Sequence, residues 1–217
     1  MREAVLLDMD HTLINGNSAY FFMKYLRREG RVSLRQMAQS VYWLLQYRFN
    51  VIDMASVSRR AFAQMAGDAE AELLQHNDRW FDEYIRPAIF RDALAMVASH
   101  QRKGRLLAIV TASTRYAAEP LARHLGIEHL ICTRLVVRNG HFTGRFEEPM
   151  CYGDGKVHWV REFAHAHDVD LSRSFFYTDS LSDLPLLRAV GHPVAVNPDP
   201  KLLRHSLRVG WPILRFR

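Results

Sequence analysis

The chain has 217 residues, 48% apolar and 24% charged, which suits a single domain or a core with a modest insert and enough apolar surface for a real core. The formal charge is +6, but arginines such as Arg27, Arg102, Arg161 and Arg215 are scattered, so the charge reads as a general attraction for small anions and nucleic acid is disfavoured as a partner. No apolar stretch approaches the ~20 residues that span a bilayer, no secretory leader fits before Asp8, and Cys132 and Cys151 stand in no metal-binding pattern. A cytoplasmic protein with reduced thiols and no membrane partner is expected.

In chain order, residues 4–7 are a short, wholly apolar run of strand length that ends on Asp8-Met9-Asp10-His11-Thr12. From about Asn15 to Ala88 no strand is legible, only helical patterning rich in Met, Ala and aromatics. That stretch is far too long for an ordinary βα connection and reads as a helical insert over the C-terminal edge of a sheet. Within it, Tyr42, Trp43, Leu44, Leu45 and Tyr47 read as the insert's own core. Residues 106–110 form a second buried strand, followed by a helix over 115–125 that Gly126 stops. Residues 135–137 and 141–143 flank Asn139-Gly140 and predict a hairpin with a primed turn. A helix over 157–167, a strand over 175–177, a helix over 184–190 stopped by Gly191 and a strand over 194–196 complete the alternation. The fold expected is α/β, a doubly wound, mostly parallel sheet, with a core domain of residues 1–14 plus 89–217 and a small helical cap domain of residues 15–88 inserted after the first strand.

Four clusters carry chemistry. Asp8 and Asp10 are two apart where a strand ends, and two carboxylates so placed call for a cation or a shared proton; a hard divalent ion, magnesium near phosphate, supplies the former. An acidic pair at a strand end is also a common helix cap. Thr111-Ala112-Ser113 follows a strand and precedes a helix, a place where hydroxyls and backbone amides cradle an anion or merely cap. Gly153-Asp154-Gly155-Lys156 opens a helix and offers a lysine to a phosphate oxygen. Asp179 and Asp183 follow another strand, Asp179 suited to the metal and Asp183 to holding Lys156 or a metal-bound water. Each cluster has an ordinary structural reading. Three of the four, however, end a strand, and together they hold the nucleophile, acid/base, anion cradle, lysine and metal carboxylates that phosphoryl transfer requires.

These motifs, in this order and with a helical insert after the first, resemble the haloacid-dehalogenase superfamily of phosphatases, most closely its phosphoserine-phosphatase-like branch (subfamily IB). The resemblance runs from Leu6 to about Pro198. It implies a phosphoric monoester hydrolase in which Asp8 attacks phosphorus and forms an aspartyl-phosphate, while Asp10 first protonates the leaving oxygen and then activates water. It also implies that Asp8, the Asp10 carbonyl and Asp179 bind Mg²⁺, and that Thr111, nearby amides at Ala112 and Ser113, and Lys156 hold the phosphoryl group. The cap would close over a small phosphorylated metabolite. Two departures stand out: Asn17 occupies about the place of a family glutamate that engages the phosphoserine amino group, and Thr178 precedes Asp179 where the family commonly has Gly. Arg60, or its neighbour Arg59, matches a cap arginine that grips substrate. Rival readings are a phosphotransferase or phosphomutase, a phosphoacceptor signalling domain and an inactive scaffold. The length of the insert and the presence of Asp10 weigh against the signalling domain, and the complete catalytic set against the scaffold.

Overall fold

The computed structural model describes residues 1–35, 37, 42 and 54–217. Six strands form one parallel sheet: β1 (Ala4–Leu7), β2 (Leu106–Thr114), β3 (His129–Thr133), β6 (Phe175–Thr178), β7 (His192–Val196) and β8 (Ile213–Leu214). Their spatial order is β3-β2-β1-β6-β7-β8, so the chain winds outward from β1 in both directions. The direction reverses between β1 and β6, and a crevice opens beyond the carboxyl ends of such a pair. Strands β4 (Leu135–Arg138) and β5 (His141–Phe146) form the separate antiparallel hairpin, closed by Asn139 and Gly140 at φ 50° and 76°, the positive values a primed turn requires.

Strand β1 is buried on both faces because alternate side chains enter different cores. Val5 and Leu7 pack with helices α4 (Arg91–Arg102) and α5 (Arg115–Leu125). Ala4 and Leu6 pack with α6 (Asp154–Ala166), α7 (Leu184–Ala189) and α8 (Pro200–Val209). Between β1 and α4 lie α1 (Ser18–Arg28), α2 (Met54–Ala63), α3 (Glu70–Trp80), a π-helical turn (Phe81–Ile85) and a 3₁₀ turn (Arg86–Ala88), as the helical patterning predicts. Tyr25 of α1, Trp80 of α3, and Phe81 and Ile85 join the same buried cluster as Val5 and Leu7. Of the aromatic cluster at 42–47, Trp43, Leu44, Leu45 and Tyr47 lie outside the described residues, and Tyr42 is exposed.

Three local expectations need correction. Strand β2 continues through Thr111, Ala112 and Ser113 to Thr114, with a register shift against β3 between Thr111 and Thr114, so this motif is an irregular strand end and does not follow a strand that stops at Val110. Helix α6 begins at Asp154, three residues before the apolar pattern at 157 but where Gly153-Asp154-Gly155-Lys156 is expected to open it, because Gly153 takes φ 54° and turns the chain into it. Gly191 does not stop α7 by a left-handed cap, since Val190 is already extended there; a Cβ on Gly191 would lie 1.7 Å from the Ser172 carbonyl oxygen. Close backbone approach, not turn geometry, is what requires glycine. Gly126 is the left-handed cap of α5 that the sequence predicts, at φ 64°.

Candidate active site

Strand β1 ends at Leu7, and the Asp8 amide still donates to the Tyr177 carbonyl of β6 at 2.9 Å, which fixes Asp8 just past the carboxyl end of β1. Its Oδ1 accepts a 2.7 Å bond from Lys156 Nζ, whose second bond, 2.8 Å, goes to Asp183 Oδ2. Asp8, Lys156 and Asp183 are only 7%, 2% and 1% exposed, so the triad is a buried ion cluster. Lys156 reaches it from the first turn of α6. The turn is tight: a Cβ on Gly155 would stand 1.8 Å from the Met150 carbonyl oxygen, so only glycine lets the chain enter the helix there.

Asp183 occupies the N-cap position of α7 but its side chain makes no cap bond. It faces the site, where Thr178 Oγ1 donates to its Oδ2 at 2.6 Å and its Oδ1 is buried without a partner. Thr178, at the position where resemblance leads one to expect glycine, therefore orients Asp183, and its φ is not positive. Asp179 follows on the loop. Asp199 shapes that loop from behind: its amide donates to the Asp179 carbonyl at 2.8 Å, its Oδ2 accepts from Leu181 N at 2.8 Å, and its Oδ1 caps α8 through the amides of Lys201 and Leu202.

Asp10 stands just before a turn in which His11 takes φ 55°. Its Oδ1 accepts from the Ser18 amide at 3.0 Å, and its Oδ2 from Asn17 Nδ2 and Ser18 Oγ at 3.1 Å each. Ser18 Oγ also stands 2.8 Å from Ser113 Oγ, while the Ser113 amide donates to Thr111 Oγ1 at 3.1 Å. Asn17 is the N-cap of α1, its Oδ1 accepting from the Tyr20 amide. Both ends of the Asn17 amide are thus engaged within the protein. Arg60 is exposed on α2; Arg59 beside it bonds Glu148 at 2.9 Å. The structure thus gathers Asp8, Lys156, Asp183 and Thr178 into one bonded cluster and Asp10, Asn17, Ser18, Ser113 and Thr111 into a second. Asp179 stands near the first, close enough for the charges of Asp8 and Asp183 to raise its pKa.

Electrostatics show what the site lacks. Burial pushes Asp8 up to about 7, with Asp183 and Asp10 adding to the rise and Lys156 opposing it. Burial likewise raises Asp10 to about 6 against the Ser18 bonds, and lifts Asp179 well above the carboxylate range with the help of Asp8 and Asp183. For Lys156, burial alone would favour the neutral amine, but Asp183 and Asp8 more than offset it and raise its pKa. One ammonium serves four carboxylates. Charge is therefore left uncompensated, and a hard divalent cation on oxygen ligands fits that donor set. Among the described residues no three His, Cys, Asp or Glu side chains form a metal cage. A magnesium site near phosphate needs fewer, because carbonyl, water and phosphate oxygens complete its shell.

A family model described as haloacid dehalogenase-like hydrolase matches residues 5–188, which takes in all four motifs. The chain belongs to this family. It is 32% identical over 218 residues to a phosphoserine phosphatase of Mycobacterium tuberculosis, covering 99% of this chain and 71% of that protein. To a histidinol-phosphatase of Neisseria meningitidis it is 30% identical over 223 residues, covering 100% of both. A crystal structure of a protein of unknown function from Bordetella pertussis matches with a TM-score of 0.89 and 30% identity over 99% of each chain. This haloacid dehalogenase-like hydrolase is a phosphatase that acts on phosphoric monoesters, as the four motifs imply. No helix among its described residues is long and apolar enough to cross a membrane. Thr178 and Ser18 stand in the two clusters without belonging to any of the four motifs' candidate residues. Thr178 was visible only as a departure from a glycine, and Ser18 carried no signal beyond its place near a helix start.

Proposed function

We propose that this phosphatase hydrolyses a small amino-alcohol phosphate, phosphoserine-like or histidinol-phosphate-like, through a phosphorylated Asp8. The observation that carries the reading is the buried Asp8–Lys156–Asp183 cluster at the point where the strand order reverses. Lys156 holds Asp8 by one oxygen and presents its positive charge where an incoming phosphoryl group would sit. An Asp8 oxygen attacks phosphorus, the bond to the ester oxygen breaks, and Asp10 delivers a proton to that leaving oxygen. Asp10, now ionised, takes a proton from water; the water oxygen attacks phosphorus and the Asp8 carboxylate departs. A pKa of about 6 suits Asp10 to both tasks near neutral pH. Asp8, Asp179 and the Asp10 carbonyl would hold Mg²⁺, which when bound neutralises charge on the phosphoryl oxygens. The Thr111 hydroxyl and the Ala112 amide support those oxygens, while the Ser113 amide is engaged on Thr111 Oγ1. Residues 15–88 serve as the cap over the core of residues 1–14 and 89–217, with Arg60 as its contact to substrate.

The full-length match to a histidinol-phosphatase supports the amino-alcohol class. The test is a panel of natural phosphate monoesters combined with acid quench and intact-mass measurement during turnover. The wild type should gain the mass of one phosphoryl group and Asp8→Asn should not. Chelator should abolish turnover and added Mg²⁺ restore it. Turnover by Asp8→Asn, or undiminished rates in excess chelator, would overturn the mechanism; a preference for sugar or nucleotide monoesters would overturn the substrate class alone.

A further inference from the structure

We infer that Ser18, with Ser113 behind it, is a positioning residue that holds the Asp10 carboxyl against the leaving oxygen of the substrate. The inference rests on the acid/base role proposed for Asp10. Ser18 is 1% exposed and touches Asp10 twice, through its amide on Oδ1 at 3.0 Å and through its hydroxyl near Oδ2 at 3.1 Å. With the Asn17 amide also on Oδ2, both carboxyl oxygens are fixed, and the plane of the group cannot rotate without breaking a bond. The Ser18 hydroxyl has one hydrogen and two partners, Asp10 Oδ2 and Ser113 Oγ at 2.8 Å. While Asp10 is ionised, that hydrogen lies on Asp10 and the Ser113 hydroxyl donates to Ser18, so the chain of donors runs from Ser113 through Ser18 to Asp10.

This chain joins two separate parts of the molecule. Ser18 opens α1, whose amino end favours an anion, and Ser113 belongs to the irregular end of β2 beside Thr111. The Ser113 side chain is therefore spent on Ser18 and not on phosphate. The acid/base and the phosphate cradle are locked in one register, so that a phosphoryl group seated on the cradle brings its ester oxygen to Asp10. A purely structural reading exists, since the Ser18 amide contact is also what an acid at a helix start makes. Capping, however, has no reason to depend on which alcohol leaves.

The experiment compares kcat/KM for an alkyl phosphate and for p-nitrophenyl phosphate, whose leaving group departs with little protonation. Proton donation is worth roughly 10²–10⁴-fold, and a mispositioned donor forfeits part of it. Ser18→Ala should lose about tenfold on the alkyl ester and about twofold or less on the aryl ester. Ser113→Ala should show the same pattern, more weakly. Ser18→Thr, which keeps the hydroxyl, should restore the ratio between esters even if the added methyl lowers the melting temperature. Asp10→Asn is the reference: it should discriminate most strongly. If Asp10→Asn discriminates and Ser18→Ala loses equally on both esters or on neither, the positioning role is wrong while the mechanism stands. If Asp10→Asn itself fails to discriminate, the acid/base assignment falls and the inference with it.

Discussion

Replacing Lys156 by Met removes the cation between two buried carboxylates while keeping an unbranched side chain of similar length. Asp8 and Asp183 are 7% and 1% exposed, so water cannot take over from the ammonium. Taking one partner from a buried ion pair typically costs about 3–5 kcal/mol. The pH dependence of that loss identifies its origin. Asp8 titrates at about 7 in the folded protein, above the ordinary 3.8, even with Lys156 opposing the rise. Without Lys156 the folded value climbs further and the unfolded value does not move. A carboxyl with the higher pKa in the folded state binds more protons there, so stability falls as pH rises. The deficit of Lys156→Met should be greatest near about pH 8 and should shrink by more than half near about pH 5. Urea denaturation followed by far-ultraviolet circular dichroism, in chelator, measures it. Adding Asp183→Asn should recover part of the deficit at the higher pH by removing one stranded charge. A deficit equal at both pH values, or one that grows with acid, would refute the buried-charge reasoning.

Gly155→Ala should destabilise by about 2 kcal/mol or more and lower turnover, because a Cβ 1.8 Å from the Met150 carbonyl must displace the start of α6 and Lys156 with it; a wild-type melting temperature with full activity would contradict this. His100, buried on α4 and bonded to the Tyr177 hydroxyl at 2.9 Å, titrates near 4 in place of 6.5, chiefly through burial and secondarily through Arg105. The unfolded chain binds that proton more readily, so stability is complete above about pH 6.5 and is lost progressively as pH falls towards 4. Chemical denaturation across that window, compared with His100→Gln, checks it; a slope unchanged in the variant would exclude His100 as the source.

The elements legible in the sequence are those whose signals are local. The apolar runs of β1 and β6, the stop at Gly126 and the Asn139-Gly140 turn each state their structure within a few residues, and the structure agrees with them. Strand β3 and helices α4 and α8 are not among the elements that those runs and stops predict. In β3 the apolar run is only Leu130-Ile131-Cys132, bounded by His129 and Thr133, and pairing with β2 makes it a strand. Asp8, Asp10, Lys156, Asp179 and Asp183 could be named from motif order, because order along the chain maps onto strand ends in a doubly wound sheet. Ser18 and Thr178 could not. Their importance lies in contacts with Ser113 and Asp183, which no spacing rule anticipates. The sharing of Tyr25, Trp80, Phe81 and Ile85 with the main core was equally hidden, since periodicity shows which face of a helix is apolar but not what covers it.

The loop bearing Asp179 draws its shape from a residue that takes no part in the chemistry. Asp199 grips the Asp179 carbonyl and the Leu181 amide and anchors both to the start of α8, leaving the Asp179 side chain with no share in holding its own backbone through these bonds. Form and reactivity are therefore separable at this point of the molecule. Under the metal-binding role proposed for Asp179, its exchange for Asn, Glu or Ser would retune ion preference while the loop keeps its course, whereas a change at Asp199 would bend the loop and pull Asp179 out of place.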